Sequence, residues 1–163
     1  MTGALGRGEI PALAIREDDL TDPRTIDLLR RHLEGMRATS PPGHVFALDL
    51  FGLGAPDVTV WSAWDGAEIR GTGALRALGD GTGEIKSMRT DPAHLRAGVG
   101  AALLEHIIAE ARRRGMTRLL LETGSGPAFE PAVALYRRRG FTESAAFGAY
   151  EKSAFNQFFG LDL

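Results

Sequence analysis

The sequence predicts a mixed α/β fold in which a central sheet is flanked by helices. Residues 57–90 contain three strand-like segments separated by glycine-rich turns, which is typical of an antiparallel meander. The second half contains two amphipathic helix patterns, each ending in an Arg-Arg-Arg-Gly run. A continuous apolar segment lies between these helices, as expected for a strand that is covered on both faces.

Composition limits the classes of protein to which this chain can belong. Its 163 residues have the length of one domain, and we expect one domain with a flexible tail over residues 1–10. A net charge of -2 does not favour nucleic-acid or membrane partners, and no apolar run approaches the roughly 20 residues of a membrane span. The chain has no cysteine, and its four histidines lack metal-ligand spacing. We therefore expect a cytoplasmic protein without a metal.

The first half of the chain is predicted to form a strand, a helix and the meander. Residues 11–16 form the strand, and Asp22-Pro23 begins a helix that continues to about Arg37, because a capping side chain precedes proline. Residues 44–53 fit a short helix or an irregular loop. The meander strands cover residues 57–64, 68–78 and 84–90, and imperfect alternation in the third indicates a β-bulge.

The second half is predicted to alternate helices with strands. One helix runs from about Gly98 to Gly115, and another begins at Pro131 and ends at Gly140. The apolar strand between them covers residues 117–122. Residues 141–147 and 155–163 are predicted as closing strands. Phenylalanines at the edge of the last strand could pair two subunits in a homodimer, and these are Phe155, Phe158 and Phe159.

The segment from Met88 to Leu103 contains the most informative motif. A strand enters the short turn Leu95-Arg96-Ala97-Gly98-Val99-Gly100, which opens a helix. The first amides of a helix have no partner within it and lie at the positive end of its dipole, so they can bind a phosphate or pyrophosphate. A dinucleotide fold requires a glycine where Leu103 stands, and no Walker lysine is present, so ATP is not favoured.

This turn and a second motif together resemble the GNAT superfamily of acyl-CoA-dependent N-acetyltransferases. The turn resembles the family's Q/R-x-x-G-x-G/A pyrophosphate loop, although Leu95 replaces the usual Gln or Arg. Residues 132–141 match the A-x-x-L-Y-x-x-x-G-F helix end, and the order of elements agrees over nearly the whole chain. Residues 84–89 and 121–124 also resemble a small bacterial subgroup. The resemblance implies a GNAT-like acyl-CoA N-acyltransferase fold.

The resemblance further implies that acetyl-CoA is the acyl donor and binds along the turn. Main-chain amides would hold the pyrophosphate, and the backbone at Met88 and Thr90 would pair with the pantetheine. Phe129 stands where many members have an asparagine that contacts the pantetheine. The candidate acetyl-CoA-binding residues are Met88, Arg89, Thr90, Leu95, Arg96, Ala97, Gly98, Val99, Gly100 and Ala101.

The reaction implied by the resemblance is direct attack of a primary amine, from a small molecule or peptide, on the thioester. Tyr136 is the candidate proton donor to the leaving thiolate, because a phenol with a pKa of about 10 stays protonated at working pH. It could instead be a packed core residue. Glu84 and Glu122 are alternative general bases, with Glu84 slightly favoured. Each could instead be a strand-end carboxylate paired with Lys86 or Arg89.

The acceptor pocket is the least defined part of the prediction. His44, Arg89 and one of two tryptophans could line it, since Trp61 and Trp64 point to opposite faces of one strand. Arg89 could pair with a carboxylate of the acceptor or be a surface charge. The alternative function is a non-catalytic acyl-CoA-binding sensor or scaffold, and a nucleotide-binding protein is a weaker alternative.

Overall fold

A seven-stranded mixed sheet forms the centre of the molecule. The structure is a computed structural model that describes residues 13–43, 50–91 and 98–163. The strands are β1 (Ala14–Glu17), β2 (Val58–Asp65), β3 (Glu68–Gly79), β4 (Thr82–Thr90), β5 (Arg118–Gly124), β6 (Thr142–Glu143) and β7 (Asn156–Asp162). Their spatial order is β1-β2-β3-β4-β5-β7-β6. Among these strands β4 and β5 pair in parallel, and the other neighbours pair antiparallel.

Helices cover both faces of this sheet. They are α1 (Pro23–Thr39), α2 (Leu50–Leu53), α3 (Val99–Arg113) and α4 (Glu130–Arg139). One face, here called the α1 face, packs Leu29 of α1 and Leu53 of α2 against Val60 and Ala74 of the sheet. The opposite α3 face packs α3 and α4 in the largest core cluster. Within the described ranges, no helix is both long enough and apolar enough to cross a membrane.

The helix boundaries follow the signals in the sequence. Asp22 caps α1 by accepting a hydrogen bond from the Arg24 N–H at 2.9 Å, and Pro23 is the first helical residue. The helix α4 ends at Gly140, whose φ of 103° lies in the left-handed region that glycine favours. The predicted mixed sheet with flanking helices is confirmed.

A β-bulge in β4 determines which face its side chains occupy. Lys86 pairs with Ala74 of β3, and Arg89 pairs with Thr72 of β3. Two residues of β4 therefore lie opposite the single β3 residue between Thr72 and Ala74. Ser87 lies in the bulge with a φ of 53°. Because of the extra residue, Lys86 and Arg89 both lie on the α1 face, although they are three positions apart. The bulge predicted from the imperfect alternation is confirmed.

Three expectations were wrong. The predicted strand 141–147 is reduced to β6, which pairs with β7 through Thr142 and Glu143, and residues 144–147 are not strand. Phe158 and Phe159 are buried inside the chain, the half-buried Phe155 packs against Phe129, and β7 lies between β5 and β6, so these residues do not form the exposed edge that was expected, and the homodimer stays a prediction. Both Trp61 and Trp64 are core residues, on opposite faces. The predictions for residues 1–10 and His44 fall outside the described residues.

Candidate active site

The parallel strands β4 and β5 separate soon after they begin to pair. Their paired residues run from Thr82 with Arg118 to Glu84 with Leu120, whereas β4 continues to Thr90 and β5 continues to Gly124. Strands that continue without pairing leave main-chain donors and acceptors unused between them. The sheet is therefore open between the carboxyl ends of β4 and β5.

The main chain of β4 presents hydrogen-bonding groups to this opening. The Asp91 N–H donates to the Arg70 carbonyl of β3 at 2.8 Å. By the alternation of a strand, the main-chain groups of Thr90 and Met88 point the other way, toward the side from which β5 has separated. An extended chain that contains amides, such as a pantetheine, can pair with such an edge as an added strand would.

The N-terminus of α3 lies beside the end of β4. Gly98 precedes the helix with a φ of 79°, and no side chain of the described residues caps it. The Ala102 N–H donates to the Gly98 carbonyl at 3.0 Å and begins the helical ladder. The amides of Val99, Gly100 and Ala101 therefore precede the ladder, and this arrangement suits an anionic oxygen such as that of a phosphate.

The described residues of the turn have different structural roles. Val99 is buried in the core cluster of the α3 face, so only its main chain can reach a ligand. A Cβ added to Gly100 would lie 3.2 Å from Cδ2 of Leu135, so this glycine also allows α3 and α4 to pack closely. Ala101 is exposed. Three further candidates lie outside the described residues, namely Leu95, Arg96 and Ala97.

Tyr136 lies in the core cluster of the α3 face. It is 5% exposed, and its ring centroid lies 5.7 Å from that of Phe141. Burial raises the pKa of the Tyr136 hydroxyl above its ordinary value of 10.0. The phenol is therefore protonated at physiological pH, as a proton donor must be, and its ring also contributes to the core.

Glu84 belongs to a buried, hydrogen-bonded cluster on the α1 face. Its Oε2 accepts a hydrogen bond from Tyr150 Oη at 2.6 Å and another from Lys86 Nζ at 3.2 Å. Lys86 Nζ also donates to Tyr150 Oη at 2.7 Å. We call Glu84, Lys86 and Tyr150 the buried triad. Glu84 thus makes the ion pair with Lys86 that the sequence analysis gave as the alternative to catalysis.

Glu122 lies on the same face, on the neighbouring strand. Glu84 pairs with Leu120, and residues two positions apart on a strand point to the same side. Burial raises the pKa of Glu122 to about 7, and Glu84 adds to the rise, whereas Lys86 and a hydrogen bond from Asn156 oppose it. A carboxyl group with this pKa can exchange a proton near neutral pH.

Arg89 lies on the α1 face, on the same side of the sheet as both glutamates. Its side chain is thus separated by the sheet from α3, which carries the candidate pyrophosphate site. It lies close enough to His32 of α1 for its charge to lower the pKa of that histidine, after burial as the main cause. The side chain of Arg89 therefore shares the α1 face with Glu84 and Glu122 and lies across the sheet from the candidate pyrophosphate site.

Sequence reasoning missed Tyr150 and Asn156 as members of this site. The Tyr150 ring lies 5.1 Å from that of Phe147 and 5.9 Å from that of Phe158, so the spacing of aromatic residues could have indicated a cluster. No sequence signal placed its hydroxyl beside Glu84, which lies 66 residues earlier.

Phe129 packs at the end of β5, where the resemblance implies a polar contact to the pantetheine. Its ring lies edge to face with that of Phe155, at 5.5 Å between centroids. A Cβ added to Gly124 would lie 2.8 Å from the Phe129 ring and 2.6 Å from Phe155 Cζ. Phe129 therefore supports the end of the strand and offers no side-chain hydrogen bond.

Comparison with known proteins places the chain in a family. Residues 23–141 match the model of the acetyltransferase (GNAT) family. The uncharacterized N-acetyltransferase YsnE of Bacillus subtilis (strain 168) is 49% identical over 136 residues, which cover 83% of this chain and 90% of YsnE. The uncharacterized N-acetyltransferase YedL of Escherichia coli (strain K12) is 42% identical over 149 residues, which cover 91% of this chain and 94% of YedL.

A solved structure agrees with this placement. The crystal structure of a proposed acyl-CoA N-acyltransferase from Klebsiella pneumoniae subsp. pneumoniae MGH 78578 is 30% identical, with a TM-score of 0.79. The match covers 94% of this chain and 99% of that one. The fold and the open sheet thus define an acyl-CoA-dependent acyltransferase.

The chain belongs to the acetyltransferase (GNAT) family, and the resemblance stated from its motifs is confirmed. It is an enzyme that transfers an acetyl group from acetyl-CoA. No comparison favours the alternative of a non-catalytic acyl-CoA-binding module.

Proposed function

We propose that the enzyme acetylates a primary amine of a small molecule or peptide in the cytoplasm, by direct attack in a ternary complex with Glu122 as the general base. The observation that supports this proposal is the unequal environment of two glutamates beside the opening of the sheet. Glu84 is held by the buried triad, and Glu122 has a pKa of about 7.

The hydrogen bonds of Glu84 argue against its acting as the base. Its Oε2 accepts a hydrogen bond from Tyr150 and pairs with Lys86, so this oxygen is already occupied by two donors of the buried triad. A general base works best when its pKa lies near the operating pH. Glu122 meets this condition, so it is preferred as the general base over Glu84, which the sequence alone slightly favours.

The proposed residues can complete the proton transfers of the reaction. Glu122 accepts a proton from the ammonium group of the acceptor, directly or through a water. The free amine attacks the thioester carbon, and the Met88 N–H donates a hydrogen bond to the oxyanion. The C–S bond then breaks, and Tyr136 donates a proton to the departing thiolate. Tyr136 regains a proton from the nitrogen, which becomes the neutral amide.

The pH dependence of activity distinguishes the two glutamates. We expect kcat/KM to rise with pH to a plateau, with an apparent pKa of about 7, because only deprotonated Glu122 can act. Glu122→Gln should lower the plateau by about 10²- to 10⁴-fold. Glu84→Gln removes a negative charge that raises the pKa of Glu122, so it should move the rise to lower pH and retain the plateau.

Comparing the pH profiles of the wild type and the two variants controls for the titration of the acceptor. The acceptor's own titration is common to all three proteins, so a difference between their profiles reports on the enzyme. Loss of the plateau in Glu84→Gln together with its retention in Glu122→Gln would assign the base to Glu84. Failure of the protein to release thiol from acetyl-CoA with any amine would remove the proposal altogether.

A further inference from the structure

Arg89 carries a charge that lacks a hydrogen-bonded partner among the described residues. Its side chain is partly buried on the α1 face of β4, just beyond the bulge. Its Nε is fully buried, and no described residue accepts a hydrogen bond from it. A buried, unsatisfied donor on a charged group is costly for the folded protein, and such a group calls for a functional explanation such as a bound anion.

The surroundings of Arg89 leave its charge largely unbalanced. Burial is the main cause that lowers the pKa of Arg89, the charge of Arg31 lowers it further, and Asp91 opposes both. Arg31 takes part in other ion pairs, at 3.1 Å from Asp27 and 3.9 Å from Asp91. Among the described residues, Asp91 is the carboxylate whose charge favours that of Arg89, and it is shared with Arg31.

His32 adds a neutral polar group to the same region. Burial, and then the charge of Arg89, lower the pKa of His32 to about 4. The imidazole is therefore neutral at physiological pH, with one ring nitrogen as a donor and the other as an acceptor. It neither compensates the charge of Arg89 nor repels an anion that approaches it.

Arg89 is positioned to contact the acceptor rather than the acyl donor. It lies on the same face as Glu122 and follows Met88, whose amide is proposed to bind the oxyanion. Neighbouring residues of a strand are about 3.3 Å apart. A group that lies a few bonds from the reacting nitrogen is therefore within reach of the guanidinium.

We propose that Arg89 binds a carboxylate of the acceptor, so that the substrates are amines that carry a carboxylate, such as amino acids. This inference rests on the proposed function, because it assumes that the acceptor enters on the α1 face. A guanidinium can hold a carboxylate through two parallel N–H···O bonds, and these would satisfy the buried Nε. Of the two cations of β4 on this face, Lys86 is already paired with Glu84, so Arg89 is the one proposed for this task.

Kinetics with matched acceptors tests the inference. Thiol release from acetyl-CoA is measured with the twenty L-amino acids and with the carboxamide of each. We expect accepted amino acids to exceed their carboxamides in kcat/KM by about 10- to 100-fold, as a charge-assisted hydrogen bond allows. Arg89→Gln should abolish this preference by lowering kcat/KM for the acids alone. Arg37→Gln, which removes an exposed arginine in the last turn of α1, should retain it.

An NMR titration tests whether Arg89 binds a carboxylate even when no acetyl transfer is observed. The Nε–Hε NMR signal of Arg89, identified by its loss in Arg89→Gln, is followed while N-acetylglycine or N-acetylglycinamide is added in the presence of CoA. We expect a shift with the carboxylate and none with the carboxamide. If no amine is acetylated, the proposed function fails and this signal alone decides the role of Arg89. Equal kcat/KM for acids and carboxamides, or no shift with the carboxylate, would overturn the inference.

Discussion

Burial determines which single residues can move a proton in this enzyme. The chain has two tyrosines, and the pKa of each hydroxyl is raised by burial. Tyr150 lies beside Glu84, which is on the α1 face, and already donates a hydrogen bond to it. Tyr136 lies on the α3 face, on the side of the helix whose N-terminus suits a pyrophosphate. Of the two phenols, Tyr136 is thus the one on the side of the acyl donor.

Tyr136→Phe tests this assignment. We expect kcat to fall by about 10²-fold, since the thiolate would leave without a general acid. The dissociation constant of acetyl-CoA and the melting temperature should stay close to the wild-type values, because the phenyl ring keeps its packing against Phe141. Thiol release, calorimetry and thermal unfolding measure these quantities.

Tyr150→Phe is the matched control for this prediction. It removes the other phenol, which is assigned no part in protonating the thiolate, so kcat at high pH should fall less than in Tyr136→Phe. An unchanged turnover in Tyr136→Phe would remove this residue from the mechanism.

Single residues also show where sequence reasoning ends. The sequence predicts both Glu84 and Glu122 as candidate bases, because both lie on strands beside the predicted cofactor turn. Their ranking depends on the burial of Glu122 and on the Tyr150 hydroxyl, which reaches Glu84 only in the folded chain. A local pattern contains no information about a hydrogen bond between residues 66 positions apart, so the sequence could not rank the two.

At the scale of secondary-structure elements, close packing at strand ends shapes the opening of the sheet. Gly124 ends β5 and lies against the rings of Phe129 and Phe155, so the aromatic pair leaves no space for a side chain there. The sequence predicts these elements well, since turns, caps and apolar periodicity are local signals. The strand predicted over 141–147 was wrong beyond Glu143: the Ser144 N–H still donates to Phe158 O, and the chain then enters a turn in which Tyr150 N donates to Phe147 O.

Gly124→Ala is expected to destabilise the protein. The added methyl would lie 2.6 Å from Phe155 Cζ and 2.8 Å from the Phe129 ring, so one ring must move. Overpacking of this kind typically lowers the free energy of unfolding by about 1–3 kcal/mol. Urea unfolding measures the change.

Gly35→Ala is the matched control, and we expect it to stabilise the protein in the same urea unfolding assay. Gly35 lies inside α1, and no atom of the described residues beyond its chain neighbours and the helix's own backbone lies within 4 Å of an added Cβ. Alanine should therefore increase the free energy of unfolding by about 0.5–1 kcal/mol through its better helix propensity. If Gly124→Ala instead increased the free energy of unfolding, the two aromatic rings would have to move at no cost to accommodate the methyl group, contrary to this prediction.

At the scale of the whole molecule, the sheet consists of two parts with little pairing between them. The strands β1–β4 form one part and β5, β7 and β6 form the other, and paired residues join them only from Thr82 to Glu84 on the β4 side. A pantetheine lying in the opening would add main-chain pairing to β4 where β5 supplies none. The donor substrate should therefore stabilise the sheet as well as react.

Hydrogen exchange tests this expectation. Saturating acetyl-CoA should slow exchange of the Met88 and Thr90 amides, because these groups face the opening and would pair with the pantetheine. It should also stabilise the fold by about 2.7 kcal/mol at a concentration 100 times its dissociation constant. Adenosine 3′,5′-bisphosphate, which has no pantetheine, should leave the exchange of both amides unchanged at saturation. Equal protection by the two ligands would contradict this placement of the pantetheine.

The bulge in β4 divides that strand into two segments that can vary independently. Before the bulge lie Glu84 and Lys86 of the buried triad, and after it lies Arg89, whose side chain is proposed to select the acceptor. A substitution at Arg89 can therefore retarget the enzyme without disturbing Glu84 or Lys86. Deletion of a residue at the bulge would instead restore simple alternation and turn every later side chain to the opposite face. Divergent enzymes with this strand should thus acquire new acceptors by point substitution, and changes in strand length should be selected against.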